Sequence, residues 1–142
     1  MNALHTNIKT HADAIIYFFT QLDLDMIDKL LDQNKGYMEY TKVDFIINLN
    51  VVFEKFLLSG DTFLIKHDGT CDNIGCHNSK GQGIKFVGNF SKNYLDLIIF
   101  VEKGIVVDFA ECRSLICKSK KFKSRSNFNQ RLTINPDGGM LF

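Results

Sequence analysis

The sequence contains no tryptophan, carries a net charge of only +1 and has no apolar run long enough to cross a bilayer. The longest apolar run near its start, residues 14–19, is far below the roughly 20 residues of a membrane-spanning helix, so no membrane partner is expected. The small net charge gives no global attraction to nucleic acids or acidic membranes. Without tryptophan, the 13 phenylalanines indicate a core of phenylalanine and aliphatic side chains.

Cysteine is scarce as well, and motifs for a catalytic triad or a bound cofactor are missing. Four cysteines among 142 residues are too few for a disulfide scaffold, and the amino end does not resemble a signal peptide, so we expect a cytoplasmic protein with reduced thiols. Neither a phosphate-binding glycine loop nor an HExxH pattern occurs, so no cofactor is expected. The length predicts a single domain over residues 1–142, with a core at about residues 7–113 and a basic segment at residues 113–142.

The first half of the chain has the apolar period of helices. A first set of apolar residues recurs at alternating spacings of four and three, and Asp23 can cap a helix that restarts within this set. Either a long helix followed by a shorter one kinked near Asp23, or one unbroken helix, fits this pattern. A later helix is predicted to begin after Thr41 and to end at Gly60, with Asp44, Asn48 and Lys55 on its solvent side. The two apolar sets are Ile8, Ala12, Ile15, Phe19, Leu22, Met26 and Leu30, and Phe45, Ile46, Leu49, Val52, Phe53, Phe56 and Leu57.

Beyond Gly60 the apolar period changes to two, which is typical of β-strands. Strands are predicted at residues 62–67, 84–88, 94–102 and 105–112, and a short one at residues 37–40. Lys103 and Gly104 form the two-residue turn of a hairpin between the last two strands. Because the helices precede the sheet, the fold class is predicted to be α+β, with N-terminal helices packed on a curved antiparallel sheet.

The order of these elements resembles that of the nuclear transport factor 2-like superfamily. The resemblance rests on YMEYTK at residues 37–42, which leads into a helix, and on FVEKGIV at residues 100–106 as a closing hairpin, and it covers about residues 7–113. It implies a cone-shaped, cystatin-like sheet with a pocket at its open end, and a homodimer. The superfamily includes SnoaL-like and ketosteroid isomerase-like proteins, cyclases, dehydratases and many members without any chemistry, so the resemblance does not fix a function.

Asp108 is the main candidate for a functional residue. The two-residue turn sets Asp108 opposite Ile99, on the same face of the hairpin as Leu97, unless the register slips by one residue. This face has the longest aliphatic set, so we expect it to face the helices. The other face is expected to pair Asp96 with Glu111. A carboxylate among aliphatic side chains must find a partner or take up a proton, and pockets obtain general bases and ligand-orienting acids in this way.

We therefore expect Asp108, Tyr17, Ile99 and Leu97 to line a pocket for a small apolar or mixed-polarity ligand, or to belong to an interaction domain without catalysis. An isomerase-, dehydratase- or cyclase-like enzyme is the alternative. In it Asp108 would be the acid–base and Tyr17 would polarise a carbonyl, as the resemblance to ketosteroid isomerase-like proteins implies. A third interpretation leaves Asp108 at the rim of the sheet, where it binds water or a basic residue from the C-terminal segment.

The segment HDGTCDNIGCH, residues 67–77, contains two cysteines and two histidines. Zinc favours paired ligands at fixed spacing, such as CxxC, whereas four residues separate Cys71 from Cys76 and His77 follows Cys76 directly. The alternating strand directions also place Cys112 at the opposite end of the sheet. Reduced thiols, a disulfide between Cys71 and Cys76, and a zinc site remain the interpretations, and no bound metal is expected.

The C-terminal segment is locally basic. Residues 113–131 contain seven basic residues and no acidic one, with Phe122 and Phe128 between them. Basic charge interleaved with aromatics is typical of surfaces that bind phosphates and stack on bases. Lysines also protect the solvated edges of sheets. Because the charge is local and the whole chain is nearly neutral, we expect anion or nucleic-acid binding to be at most weak and independent of base sequence.

Protein purified without chelator is expected to contain no stoichiometric zinc, because the spacing of Cys71 and Cys76 is poor for a tetrahedral site. Elemental analysis of the purified chain tests this expectation. A stoichiometric amount of zinc, lost when Cys71 and Cys76 are both replaced by serine, would contradict it.

Overall fold

The computed structural model describes residues 8–71, 81–111 and 115–117. The predictions for the side chains of Cys71, Cys76, His77 and Cys112, and for the basic segment from residue 118 onward, lie outside the described residues. Within the described part of the chain, no helix has both the length and the apolar character needed to cross a membrane.

Two short helices open the described chain, and the break between them lies where the acidic residue predicted it. Helix α1 covers His11–Thr20 and helix α2 covers Leu24–Leu30. Leu22 has a positive φ of 54°, which ends α1. Asp23 then begins α2, because its side chain accepts a hydrogen bond from the backbone N–H of Met26 at 3.2 Å. The interpretation with a kink near Asp23 is therefore confirmed, although α1 is short.

Helix α3 covers Lys42–Leu58 and begins as predicted. The hydroxyl of Thr41 accepts the backbone N–H of Asp44 at 3.2 Å, and Gly60, with φ +98°, follows the end of the helix. The solvent side was predicted less well, since Asn48 is buried and Leu57 is exposed. The apolar residues of α3 that are fully packed in the core are Phe45, Leu49, Val52, Phe53 and Phe56.

The strands form two antiparallel sheets, so the α+β prediction is confirmed. The small sheet is a hairpin of two-residue strands, and the large sheet has five strands in the order β6-β5-β4-β3-β7. Helix α1 contacts β3 and β6, and α3 contacts the small sheet. The strands are β1 (Gly36–Tyr37), β2 (Tyr40–Thr41), β3 (Leu64–Cys71), β4 (Gln82–Gly88), β5 (Tyr94–Glu102), β6 (Ile105–Glu111) and β7 (Leu115–Cys117).

The predicted register of the β5–β6 hairpin holds only next to its turn. Val101 lies opposite Val106 as expected, but the register then shifts, and Phe100 lies opposite Asp108. Val107 is the extra residue of a β-bulge, and a bulge displaces every later residue of its strand by one position. The prediction that Asp108 lies opposite Ile99 is therefore wrong.

The same shift changes the predicted acidic pair. Glu111 lies opposite Leu97 rather than Asp96. Asp96 instead pairs with Lys85 on β4, and the Lys85 Nζ lies 2.8 Å from the Asp96 Oδ1. The prediction of an Asp96–Glu111 pair is wrong because it counted residues from the turn without the bulge.

Stacked phenylalanines join the helices to the sheet, as the composition predicted. Phe19 of α1 stacks on Phe86 of β4, with ring centroids 5.2 Å apart, and Phe45 of α3 stacks on Phe109 of β6 at 5.0 Å. Phe19 and Phe109 also touch at 5.8 Å, so the two stacks form one continuous cluster. All four rings are completely or almost completely buried.

His11 ties both short helices to the edge of the large sheet. Its Nδ1 accepts the backbone N–H of Val106 at 3.0 Å, and its Nε2 lies 2.7 Å from the carbonyl oxygen of Leu30. Because Nδ1 is an acceptor, the ring proton is on Nε2 and is donated to Leu30. His11 itself belongs to α1, and its ring is hydrogen-bonded to a carbonyl at the end of α2 and to an N–H of β6. The side chain therefore links α1, α2 and β6.

Replacing His11 by Ala is expected to lower the free energy of unfolding by about 1–3 kcal/mol, because a partly buried N–H and a carbonyl lose their partner. Urea denaturation of the two proteins measures the difference. The control is Lys29→Ala, an exposed position on α2, which should change stability by less than about 0.5 kcal/mol. Equal effects of the two substitutions would contradict the role of His11.

Candidate functional site

Asp108 binds backbone N–H groups at the edge of the large sheet. Its Oδ1 accepts the N–H of Met38 at 2.9 Å and the N–H of its own neighbour Phe109 at 2.8 Å. The residue is half-buried on β6, which is an outer strand of the sheet. The location agrees with the interpretation that put Asp108 at the rim, but the partners are backbone groups of the described chain.

The turn that Asp108 holds has an uncommon backbone. Met38 and Glu39 connect β1 to β2, and both have positive φ angles, of 54° and 66°. A two-residue turn with two left-handed residues is of type I′, which strongly favours Asn-Gly because larger side chains are strained there. The hydrogen bond from Met38 to Asp108 holds this strained turn against β6. Asp108 therefore has a structural task that its position in the sequence did not reveal.

Asp108 also belongs to an open acidic depression. This depression has a volume of about 670 Å³, and Phe100 and Val107 form part of its floor. Its acidic lining residues are Glu39, Glu102, Asp108 and Glu111. Among the described ranges, no three His, Cys, Asp or Glu side chains are grouped so that they could hold a metal ion.

Leu97 and Ile99 of β5 belong to the buried core of the domain. Leu97 and Ile99 point into the core, and neither has any surface open to solvent. They belong to the same core cluster as the stacked rings of Phe19, Phe86 and Phe109. Neither residue lines the depression beside Asp108 or the groove beside Tyr17, and their part in a ligand pocket stays a prediction.

Tyr17 lines a groove on the outside, between α1 and β3. The groove has a volume of about 530 Å³. Its polar lining residues come from both elements, so a ligand in the groove would touch a helix on one side and a strand on the other. The apolar lining is Ile8, Ile16, Tyr17, Phe63, Leu64 and Ile65, and the polar lining is Asp13, Thr20, Gln21, Lys66 and Gln82.

Local contacts hold Tyr17 in this groove. Its ring meets that of Phe18 edge to face, with centroids 5.2 Å apart. The Thr20 hydroxyl donates a hydrogen bond to the backbone carbonyl of Tyr17 at 2.5 Å. This bond stabilises the last turn of α1. Tyr17 thus lies at the surface and lines the groove, and its contact with a ligand stays a prediction.

Tyr17 and Asp108 do not share a site. Tyr17 lies beside β3 and Asp108 lies on β6, and the strands β4 and β5 separate them in the sheet. Three inter-strand spacings correspond to about 14 Å. Asp108 and Tyr17 line different pockets, the depression and the groove respectively, and a joint role on one substrate stays a prediction.

The structure contains a buried ion pair that the sequence pattern did not predict. Lys85 and Asp96 are almost completely buried on the face of the sheet opposite the phenylalanine cluster, and the Lys85 Nζ lies 3.6 Å from the centroid of the Tyr94 ring. In the sequence, Lys85 alternates with the apolar residues Ile84 and Phe86. Alternation distinguishes the two faces of a strand, but it does not reveal that both faces are covered.

Comparison of the chain with known protein families gives no match, and comparisons with characterised proteins and with solved structures give no significant similarity. The functional assignment therefore depends on the geometry of the described residues alone. Of the surfaces described above, the groove beside Tyr17 combines an apolar wall with polar groups from two elements, whereas the depression beside Asp108 is lined by acids.

Replacing Asp108 by Ala is expected to lower the free energy of unfolding by about 1–3 kcal/mol, since two N–H groups lose a charged acceptor. Asp108→Asn keeps an acceptor oxygen and should cost less than Asp108→Ala. The loss of stability caused by Asp108→Ala should be smaller when the strained turn is replaced by Asn-Gly through Met38→Asn and Glu39→Gly. A double-mutant cycle from urea denaturation measures this coupling.

Glu102→Ala, at an exposed acidic residue of the same hairpin, is the control and should change stability by less than about 0.5 kcal/mol. If Asp108→Ala costs nothing, or costs the same with either turn sequence, the anchoring role is contradicted.

Proposed function

We propose that this domain binds a small molecule of mixed polarity in the groove between α1 and β3, without catalysis. The observation that carries the proposal is the groove itself, in which Tyr17 and other apolar residues share the lining with polar residues from α1 and β3. The resemblance to the nuclear transport factor 2-like superfamily remains part of the proposal. The α+β fold and the order of the elements support it.

The size and the lining of the groove suit a small ligand. Its volume of about 530 Å³ falls within the range of about 300–1,000 Å³ that is usual for small-molecule sites. Phe63 and Ile65 remain 42% and 40% exposed at its wall, so a bound ligand would remove apolar surface from water. Burial of such surface provides about 25 cal/mol per Å².

The polar groups would orient the ligand. Asp13 and Lys66 provide charges of both signs, and the side-chain amides of Gln21 and Gln82 can donate and accept hydrogen bonds. With Tyr17, they line the same groove as the apolar residues. A ligand with an aromatic or aliphatic body and a polar or ionised end fits this pattern better than a purely apolar or a highly charged one.

The position of Asp108 favours binding over the enzymatic alternative. Its Oδ1 already accepts two backbone N–H groups, and the residue does not line the groove of Tyr17. A general base must lie within hydrogen-bond reach of the proton that it removes. Asp108 does not meet this condition for a ligand in contact with Tyr17.

Titration of ¹⁵N-labelled protein with anilinonaphthalene sulfonate, and then with a library of aromatic fragments, tests the proposal. Amide shifts should concentrate on α1 and on residues 63–66. Gln21→Trp places a large ring in the groove and should weaken binding about tenfold. Gln33→Trp is the matched control, because Gln33 is also exposed and lines a different depression, beside Asp108.

Binding that Gln33→Trp leaves unchanged and Gln21→Trp weakens would support the groove as the site. The absence of saturable shifts at the groove with every compound would contradict the proposal. So would compounds whose binding depends on Gln33 and not on Gln21.

A further inference from the structure

One edge of β3 is open over most of its length in the described part of the chain. On one side β3 pairs with β4 from Leu64 to Gly69, whereas on the other side its described partner β7 covers only Gly69–Cys71. Among the described residues, no strand therefore lies beside residues 64–68 on the side of β7. Such an edge presents backbone groups that another strand can bind. We call this part of β3 the open edge.

The backbone groups of Leu64 and Lys66 point to the open edge. Asn89, which follows β4, donates its N–H to the carbonyl of Phe63 at 3.1 Å, so Phe63 is a hydrogen-bonded position of the β3–β4 ladder. In an antiparallel ladder, such positions alternate with positions whose backbone groups point away from the partner strand. The N–H and C=O of Leu64 and Lys66 therefore point away from β4, and no hydrogen bond between described residues uses them.

The groove beside Tyr17 runs along the same edge. Leu64 and Lys66 both line it. A residue of an added strand that lies directly opposite one of them would have its side chain on the same face of the sheet. The groove is therefore the space that alternate side chains of an added strand would enter.

The register of β7 directs the chain along the open edge. Strand β7 is antiparallel to β3, and its last residue, Cys117, lies opposite Gly69. An extended chain that keeps this register passes residues 118–122 along the open edge, because each further residue meets the preceding residue of β3. Phe122 would then lie opposite Leu64, with its side chain on the face of the groove.

We propose that residues 118–122 extend β7 along the open edge and place the Phe122 ring in the groove, where it competes with the ligand. We call these residues the closing segment. The competition rests on the proposed function of the groove, whereas the pairing of the strands does not. Because the closing segment follows β7 directly, its effective concentration at the open edge is high.

Charge determines how firmly the closing segment is held. In this register Lys118 lies opposite Asp68, and opposite charges on facing strands attract each other. Lys120 lies opposite Lys66, and like charges in this position repel each other. The Lys66 Nζ is 3.8 Å from the Asp68 Oδ1, so the acidic side chain is near both pairs. One favourable and one unfavourable pair give a segment that a ligand can displace.

The closing segment fits the open edge better than the same edge of a second copy does. A two-fold pairing of two copies about Lys66 would set Lys66 against Lys66 and Asp68 against Leu64, without any favourable charge pair. The closing segment instead brings a basic residue to Asp68 and an aromatic ring to the apolar part of the groove, which includes Ile16 and Leu64.

Amide hydrogen exchange of the ¹⁵N-labelled full chain, measured without any added compound, tests the pairing. The N–H groups of Leu64 and Lys66 should exchange about tenfold more slowly in the unchanged chain than in Phe122→Ala, because only the closing segment provides their acceptors. Phe128→Ala is the matched control, since it removes an aromatic ring beyond the closing segment, and it should leave the exchange unchanged. The N–H of Ile65, which points to β4, should exchange equally in all variants.

Two substitutions of the same kind should have opposite effects. Lys118→Glu sets a carboxylate against Asp68 and should speed the exchange of the Leu64 and Lys66 N–H groups about two- to fivefold. Lys120→Glu replaces the repulsion at Lys66 by an attraction and should slow this exchange by a similar factor. Both substitutions change the net charge equally, so the register alone distinguishes them. Affinity for anilinonaphthalene sulfonate should rise with Lys118→Glu and fall with Lys120→Glu.

Fast exchange of both N–H groups in the unchanged chain, or equal effects of Lys118→Glu and Lys120→Glu, would overturn the proposal. Protection that remains in Phe122→Ala would also overturn it, since another segment would then cover the edge. So would protection that rises with protein concentration, since a second copy would then be the occupant. If the N–H groups are protected but no compound binds even to Phe122→Ala, the pairing is supported and the proposed function of the groove is contradicted.

Discussion

The packing of four phenylalanine rings is the constraint on which the other features depend. Phe19, Phe86, Phe109 and Phe45 come from α1, β4, β6 and α3, and their stacked and tilted contacts close the space between the helices and the sheet. Protein interiors are generally packed to the density of organic crystals, and these four rings contribute to that packing. The depression beside Asp108 and the groove beside Tyr17 lie on the outside of this packed core.

The bulge at Val107 affects the small hairpin and the edge of the sheet. The bulge turns Asp108 away from the core face and toward the Met38–Glu39 turn. There the Asp108 carboxylate accepts a hydrogen bond from the backbone N–H of Met38. The bulge also lets the Asp108 carboxylate bind the N–H of Phe109 at the outer edge of β6, where an unpaired group would invite another strand. Phe109 meanwhile faces the core. The single inserted residue thus lets Phe109 face the core while Asp108 binds the small hairpin and the edge of the sheet.

The sequence predicted the features that depend on local pattern. Capping and turn formation depend on only a few neighbouring residues. For this reason the sequence predicted the cap at Asp23, the start of α3 at Thr41 and the hairpin at Lys103. The bulge left no such signal, since Val107 fits a strand whether or not it is the extra residue. The register predicted from the turn did not include the bulge, and it therefore placed Asp108 on the wrong face of the hairpin. Burial of Lys85 on the second face of the sheet was hidden for a similar reason, because it depends on elements far away in the sequence.

The most direct test of the account is a crystal structure of the protein under xenon pressure, because xenon occupies empty apolar cavities and does not enter packed ones. The account predicts no xenon atom within the cluster of Phe19, Phe86 and Phe109, or in contact with Leu97 and Ile99. Xenon bound against Leu97 and Ile99 would reveal a hollow cone. It would contradict the proposal that binding takes place on the outer surfaces of the domain.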